Sequence, residues 1–230
     1  MGESISERVA QTMERIRAAC ARSGRAADSV RLLAVTKKQP PERVREALAA
    51  GVTVFGESRV QEAKVKISMC PGHAVWHMIG HLQTNKARDA ARLFQMIHSV
   101  DSLRLLEAID EAASAAGRVM PVLLEVNVSG ESSKFGLAPE AVPAVLDEAN
   151  RLHRVQIAGL MTIPPPADDP EKARPHFAKL RTLRDEWRRG TGHGLDELSM
   201  GMSGDFEVAI EEGATWVRLG MALFGPRSAA

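Results

Sequence analysis

Two adjacent lysines, Lys37 and Lys38, follow a short apolar run at residues 32–35. The run predicts a strand over 32–36 that is buried on both faces, as in a parallel sheet. The prolines after Gln39 end this strand, because proline cannot donate to a strand ladder. A lysine there can form a Schiff base, since an apolar environment favours its neutral, nucleophilic amine. The alternative is that both lysines are solvated loop residues, as lysines usually are.

Two glycine-containing segments near the end of the sequence could bind an anion. They read LSMGMSG at residues 198–204 and VRLGM at residues 217–221. Ser203 suits the N-cap of a helix that starts near Asp205, but a serine hydroxyl beside helix N–H groups also suits phosphate. Gly220 would let a ligand approach the backbone closely. Asp205 favours the structural alternative, because an acidic side chain can itself occupy a helix terminus.

These residues depend on eight apolar segments that alternate with helical patterns. The predicted strands span residues 32–36, 52–56, 74–79, 94–100, 119–128, 155–161, 197–200 and 216–219. Helices are predicted at 4–22, 41–50, 60–67, 85–93, 102–116, 139–152, 171–188 and 205–212. Strict alternation indicates a parallel sheet, so we predict an α/β fold: a single-domain (β/α)8 TIM barrel over residues 1–230 with an extra N-terminal helix. An open doubly wound sheet is the alternative, but its usual glycine-rich first turn is missing.

In a barrel, the carboxyl ends of the strands share one mouth, so Lys37, Arg218 and the two glycine-containing segments would meet there. An arginine stays protonated and can donate to a ring nitrogen. A lysine, an arginine and a phosphate cradle together suit a ligand with an aldehyde, a pyridine nitrogen and a phosphate, as in pyridoxal 5′-phosphate. A sugar-phosphate site would use the cradle but would not need the lysine.

Composition excludes several other classes of function. The formal net charge is +1, which gives no electrostatic basis for binding nucleic acid or an anionic membrane. No apolar run approaches the length of a membrane span, and the N-terminus has no apolar signal core, so we expect a cytoplasmic protein. Cys20 and Cys70 lack metal-ligand spacing, and we expect no metal site. The sequence contains no tyrosine.

Seven sequence stretches carry a resemblance to a known family. They are LLAVTKKQP, VFGESRVQEA, WHMIGHLQTNK, IHSVDS, EVNVSGESSKFGL, IAGLMTIPP and LSMGMSGDFEVAIEEGATWVRLGMALFG, in order between residues 32 and 225. The sequence resembles the pyridoxal-phosphate homeostasis proteins of the YggS/PROSC type. The resemblance implies a barrel related to the N-terminal barrel of alanine racemase. One departure is that Ser58 and Arg59 stand where the family commonly has asparagine and tyrosine, so any contact those residues make is in doubt.

The resemblance also implies a set of cofactor-binding residues, with pyridoxal phosphate held as a lysine Schiff base. These are Lys37 for the aldehyde, Arg218 for the ring nitrogen, Ser203, Gly204, Gly220 and Met221 for the phosphate, Ser199 and Met200 for the pocket wall, and Met161 and His77 near the ring. Lys37, directly after the apolar run, is expected to bind the aldehyde in preference to Lys38.

The absence of tyrosine bears on catalysis, because a racemase needs two bases on opposite faces of the cofactor ring. The resemblance implies that, in the related racemases, the second base is a tyrosine from another domain or subunit. The sequence stops soon after the eighth predicted strand, so we expect no lid. We therefore expect a monomeric carrier that stores pyridoxal phosphate, or delivers it to apo-enzymes, in vitamin B6 homeostasis. The alternatives are a slow amino-acid racemase or related enzyme, with histidine or cysteine as second base, and a sugar-phosphate aldolase or isomerase.

Overall fold

Eight parallel strands close into a barrel in sequence order. The structure is a computed structural model that describes residues 3–70, 72–131 and 133–226. The strands are β1 (Arg31–Val35), β2 (Val54–Glu57), β3 (Val75–Met78), β4 (Met96–Val100), β5 (Met120–Glu125), β6 (Val155–Met161), β7 (Glu197–Ser199) and β8 (Trp216–Leu219). Pairing of β1 with β8 closes the barrel, with Leu33 opposite Arg218. The predicted (β/α)8 barrel is confirmed, and the open sheet is excluded.

Helices surround the barrel. They are α1 (Ile5–Arg22), α2 (Pro41–Ala49), α3 (Val60–Met69), α4 (Ala87–Leu93), α5 (Leu103–Ala115), α6 (Val142–Ala149), α7 (Arg174–Thr191), α8 (Phe206–Glu211) and α9 (Met221–Phe224). Among the described helices, none combines the length and the apolar composition of a membrane span.

The extra N-terminal helix, α1, is fixed at its start and along one face. Ser4 and Glu7 form a reciprocal capping box, in which each side chain satisfies a backbone N–H of the other residue. Ile5, Val9 and Ile16 are buried at helical spacing, and they pack the helix against α2, α8 and α9. This helix therefore braces the part of the barrel where the chain's first and last units meet.

Several element boundaries differ from the sequence prediction. β1 ends at Val35, one residue earlier than predicted, and both lysines lie in the turn that follows it. α7 continues to Thr191, where we predicted a loop from residue 189, because the left-handed stop residue is Gly192 with φ 74°. β5 ends at Glu125, three residues earlier than predicted, and an isolated bridge from Val126 to Leu137 follows it.

Candidate functional site

A cavity of about 300 Å³ opens at the carboxyl ends of the strands. Its walls come from the ends of β1 and β8, the loop after β2, the proline-rich loop after β6 and the loop between β7 and α8. A larger cavity of about 440 Å³ lies at the opposite end, beside the start of β6 and β7. Barrel sites are built at the carboxyl ends of strands, and the chemically reactive groups described below lie at the smaller cavity.

Lys37 contributes to the cavity from a tight turn. The Gln39 N–H donates to the Thr36 carbonyl at 2.9 Å, and Lys38 has a positive φ of 62°. A positive φ at the third residue is typical of a type II turn. Lys37 is half-buried and lines the cavity, whereas the Lys38 side chain is exposed and does not. The turn, and not strand alternation, separates the two neighbouring lysines.

Arg218, on β8, lines the cavity from below and is almost completely buried, with 4% of its surface exposed. Its Nη1 donates to Ser199 Oγ at 2.8 Å, and its Nη2 donates to the Thr162 carbonyl at 3.0 Å. The Nε–H group donates to no described residue, so the guanidinium keeps donor capacity for a ligand. Burial lowers the pKa of Arg218 to about 10, opposed by Glu125 and Asp205, and the side chain stays protonated at neutral pH.

A chain of hydrogen bonds continues from Arg218 through the barrel interior. His98 Nδ1 lies 2.8 Å from Ser199 Oγ, and His98 Nε2 lies 3.0 Å from His77 Nδ1. Since β4 and β7 are not neighbours in the barrel, the bond from His98 to Ser199 crosses the interior. Burial lowers the pKa of His77 to about 3 and lowers the pKa of His98 well below its ordinary value. Both imidazoles are therefore neutral, and the chain fixes Ser199 beneath the guanidinium.

The loops after β7 and β8 are joined by a side chain. Ser203 Oγ accepts from the Ala222 N–H at 3.1 Å, in the first turn of α9. It does not cap α8, so the sequence interpretation of Ser203 as the N-cap of that helix is wrong. Asp205 Oδ1 instead accepts from the Met202 N–H at 2.6 Å. The backbone N–H groups of Ser203, Gly204, Gly220 and Met221 donate to no acceptor within the described residues. All four residues line the cavity, so these N–H groups can serve an anion.

Comparison with known proteins agrees with this architecture. The family described as "Alanine racemase, N-terminal domain" matches residues 9–228. The "Pyridoxal phosphate homeostasis protein" of Aquifex aeolicus (strain VF5) is 46% identical over 222 residues, which are 96% of this chain and 97% of that protein. Its namesake in Pseudomonas aeruginosa is 45% identical over 227 residues, which are 97% and 96% of the two chains. The chain belongs to the pyridoxal phosphate homeostasis protein family.

One solved structure with a comparable sequence identity to this chain contains a bound ligand. PipY of Synechococcus elongatus PCC7942, solved with pyridoxal phosphate bound, is 40% identical to this chain, with a TM-score of 0.83. The match covers 96% of this chain and 100% of PipY. The resemblance read from the sequence motifs is thus confirmed at the level of family and fold.

The structure divides the ten expected cofactor residues into two groups. Six line the cavity: Lys37, Arg218, Ser203, Gly204, Gly220 and Met221. Four are buried and do not line it: Ser199, Met200, Met161 and His77. Ser199 reaches the cavity only through Arg218, and His77 lies two hydrogen bonds further along the interior chain. The cofactor contacts of all ten residues stay predictions.

Two features of the mouth go beyond the sequence prediction, which named His81 as a possible second base without its partners and gave Glu125 no role. His81 Nδ1 lies 2.8 Å from Asp101 Oδ2, and the His81 ring stacks on the exposed Phe135 ring at 3.9 Å. Glu125 is 7% exposed, and burial raises the pKa of its carboxyl to about 7 against the opposing charge of Arg218. Both lie at strand ends, which was the available signal, but the sequence could not show their partners.

A buried charged cluster behind Lys37 was missed in part. Lys66, Glu57 and Glu62 meet there around the Thr36 carbonyl. The sequence placed Glu57 at a strand end, but the spacing of Glu62 and Lys66 is also that of an ordinary surface pair on a helix. No group of three or more His, Cys, Asp or Glu side chains within the described residues is arranged to hold a metal ion.

Proposed function

We propose that this chain binds pyridoxal 5′-phosphate and acts as a carrier in the intracellular homeostasis of vitamin B6. The observation that carries the proposal is one cavity lined by an amine, a buried guanidinium and four unused backbone N–H groups. The name of the family's curated members and the ligand of PipY support the same choice.

The residues of the cavity fit the three reactive parts of this cofactor. The unused N–H groups around Gly204 and Gly220 suit a dianionic phosphate, since neither glycine carries a side chain into the cavity. Apart from its chain neighbours, no described residue has an atom within 4 Å of a Cβ built on Gly204, so this wall is open toward a ligand. Asp205 is the one acidic side chain of this loop that lines the cavity, and its bond to the Met202 N–H holds its Oδ1 atom.

In this site Lys37 would hold the aldehyde as a Schiff base. Its Nζ would form a C=N bond to the aldehyde carbon, with loss of the aldehyde oxygen as water. Arg218 would donate to the ring nitrogen and keep it unprotonated, because a cationic donor disfavours a second positive charge beside it. Bound pyridoxal phosphate supplies an electron sink and a reactive aldehyde. An unprotonated ring is a weaker electron sink, which suits storage of the cofactor better than catalysis.

The carrier role is preferred to an enzyme because no tyrosine or histidine of the described residues lines the cavity as a second base. The sequence has no tyrosine, and His77 is neutral, buried and bonded to His98. We propose that none of the residues is catalytic and that apo-enzymes receive the cofactor from this chain. We also propose that residues 1–230 form one cofactor-binding domain, that the protein is a monomer and that it acts in the cytoplasm.

One observation favours a second candidate, a slow racemase or related enzyme that uses the bound cofactor. His81 is oriented by Asp101 at the mouth of the barrel, in the way that a carboxylate orients a catalytic imidazole. A sugar-phosphate aldolase or isomerase is less consistent with the cavity, because Arg218 would then have no ring nitrogen to bind.

A spectral titration of the protein with pyridoxal 5′-phosphate tests the proposal. We expect a visible band that saturates at one cofactor per chain, and borohydride reduction should fix the cofactor on the peptide that contains Lys37. Saturation without a visible band, or label spread over many lysines, would contradict specific binding. A sugar phosphate that competes with the cofactor more strongly than inorganic phosphate would favour the aldolase alternative.

A further inference from the structure

The α3 helix places a buried ammonium directly behind the Lys37 turn. Lys66 is 4% exposed, and its Nζ donates to the Thr36 carbonyl at 2.5 Å, to Glu57 Oε1 at 2.8 Å and to Glu62 Oε1 at 2.6 Å. An ammonium has three donor hydrogens, so Lys66 is fully satisfied within this cluster. A buried charge of this kind is retained only when it is paired and hydrogen-bonded.

The cluster reaches the peptide groups on both sides of Lys37. The Thr36 carbonyl, which Lys66 binds, belongs to the peptide that precedes Lys37. The Lys38 N–H belongs to the peptide that follows it and donates to Glu62 Oε1 at 2.5 Å. Glu62 Oε1 also accepts from Lys66. One ammonium and one carboxylate, bonded to each other, therefore bind the two peptide groups on either side of Lys37.

The turn needs such support because the sheet does not supply it. β1 ends at Val35, and the last backbone hydrogen bond from this segment to β2 is from the Thr36 N–H to the Gly56 carbonyl, at 3.1 Å. Beyond it, Lys38 adopts a left-handed conformation that a lysine rarely takes. A backbone in an unfavourable region persists only where its surroundings hold it.

Glu57 ties the cluster to the barrel itself. It is fully buried, and its Oε1 accepts from Lys66 and from the Thr36 hydroxyl, the latter at 2.5 Å. Its Oε2 has no hydrogen-bond partner within the described residues. The carboxylate therefore depends on Lys66 for compensation, which couples the position of α3 to the end of β1.

We propose that Lys66, with Glu57 and Glu62, is a positioning residue that holds the Lys37 turn so that the Lys37 amine faces the cofactor's aldehyde. The inference rests on the proposed binding of pyridoxal phosphate. Lys66 does not touch the cavity; it acts through the backbone on either side of Lys37. A cluster that only tied α3 to the barrel would affect stability and leave the reaction of Lys37 with the aldehyde unchanged.

Two ligands separate these roles. Pyridoxine 5′-phosphate has an alcohol in place of the aldehyde, so its affinity reports the ring and phosphate contacts without reaction at Lys37. The rate at which the visible band forms at saturating pyridoxal 5′-phosphate reports the placement of the Lys37 amine. The variants are Glu62→Ala, which removes the acceptor of the Lys38 N–H, and Lys66→Met, which removes all three donors. Lys64→Met, an exposed lysine on the same helix, is the matched control.

For Glu62→Ala and Lys66→Met we expect unchanged affinity for pyridoxine 5′-phosphate and a fall of about 10- to 100-fold in the rate of band formation, as for other small misplacements of reacting groups. Glu62 is 25% exposed, so Glu62→Ala carries the test if Lys66→Met does not fold. If the folded Glu62→Ala or Lys66→Met protein forms the visible band as fast as Lys64→Met does, the inference is overturned. A parallel loss of affinity for both ligands would overturn it as well. Wild-type protein that binds neither ligand would overturn the proposed function instead.

Discussion

At the scale of single residues, Lys37 and Lys38 are sequence neighbours with different environments. Lys37 lines the cavity and Lys38 is exposed, so only Lys37→Ala should abolish the visible band formed with pyridoxal phosphate. Lys38→Ala should keep the band nearly intact. Absorption spectra of the two variants at equal cofactor concentration provide the measurement. Loss of the band in the Lys38 variant alone would show that the wrong lysine of the pair has been assigned.

Glu125 gives a residue-scale prediction about pH. Its folded-state pKa of about 7 lies above the ordinary carboxyl value of 4.5. Between these pH values the folded protein binds more protons than the unfolded chain, so the contribution of Glu125 to stability is present below pH 4.5 and is lost as the pH rises through 7. Glu125→Gln stays neutral, so relative to wild type its free energy of unfolding should rise between pH 4.5 and 8, by up to roughly 3 kcal/mol.

Denaturant unfolding of the ligand-free proteins at both pH values measures this difference. Glu140→Gln changes an exposed glutamate in the same way and serves as the control, for which we expect no such pH-dependent difference. A Glu125→Gln curve parallel to that of wild type across the pH range would show that the Glu125 carboxyl is well solvated in the folded protein.

At the scale of elements, the two glycines at the end of α7 have opposite roles. Gly190 lies in the last turn of the helix, and a Cβ there meets nothing within 4 Å, so Gly190→Ala should stabilise the protein by about 0.5 kcal/mol. Gly192 has φ 74° and ends the helix, so Gly192→Ala should destabilise it by about 1–2 kcal/mol. Thermal and denaturant unfolding of the pair would give the two signs, and equal effects would contradict the assigned helix end.

The errors of the sequence prediction at this scale have physical causes. Apolar runs located all eight strands, because burial on both faces leaves a continuous signal. The end of α7 was misplaced since sequence alone does not show which of two nearby glycines takes the left-handed conformation. The four residues of α9 were missed because they are too few to show a helical period. The predicted first strand included Thr36, one residue beyond the observed end of β1, because a β-branched threonine fits a strand by type.

At the scale of the whole molecule, the site combines predictable and unpredictable parts. The loops after β7 and β8 and the lysine after β1 could be found from residue types, since strand order places them at one mouth. The interior chain from His77 to Arg218 could not, because its central link, from His98 to Ser199, joins β4 and β7, which are distant in sequence and not adjacent in the barrel. The same limit applies to Lys66, whose burial behind the Lys37 turn depends on how α3 packs. Hydrogen-bond partners that are far apart in sequence are thus the part of the site that residue types and spacing could not predict.

The barrel as a whole is predicted to bind its cofactor without useful turnover. A lysine, an arginine and a set of N–H groups suffice to hold pyridoxal phosphate, whereas stereospecific chemistry needs a second proton-transfer group. His77 is unsuited to that role, since it is neutral, buried and bonded to His98. His81 is the stronger candidate, because Asp101 orients its ring and its side chain is 38% exposed.

The cofactor-loaded protein should therefore be assayed with alanine, serine, lysine, ornithine and threonine, in both stereochemical forms, for racemisation, decarboxylation and aldol cleavage. We expect rates far below those of ordinary enzymes. A rate above about 1 per second on any of these substrates would be in the enzymatic range and would contradict the carrier function. His81→Gln then identifies the source of that rate. Loss of the rate with the visible band retained would assign proton transfer to His81, because we expect the band to depend on Lys37 and not on the imidazole.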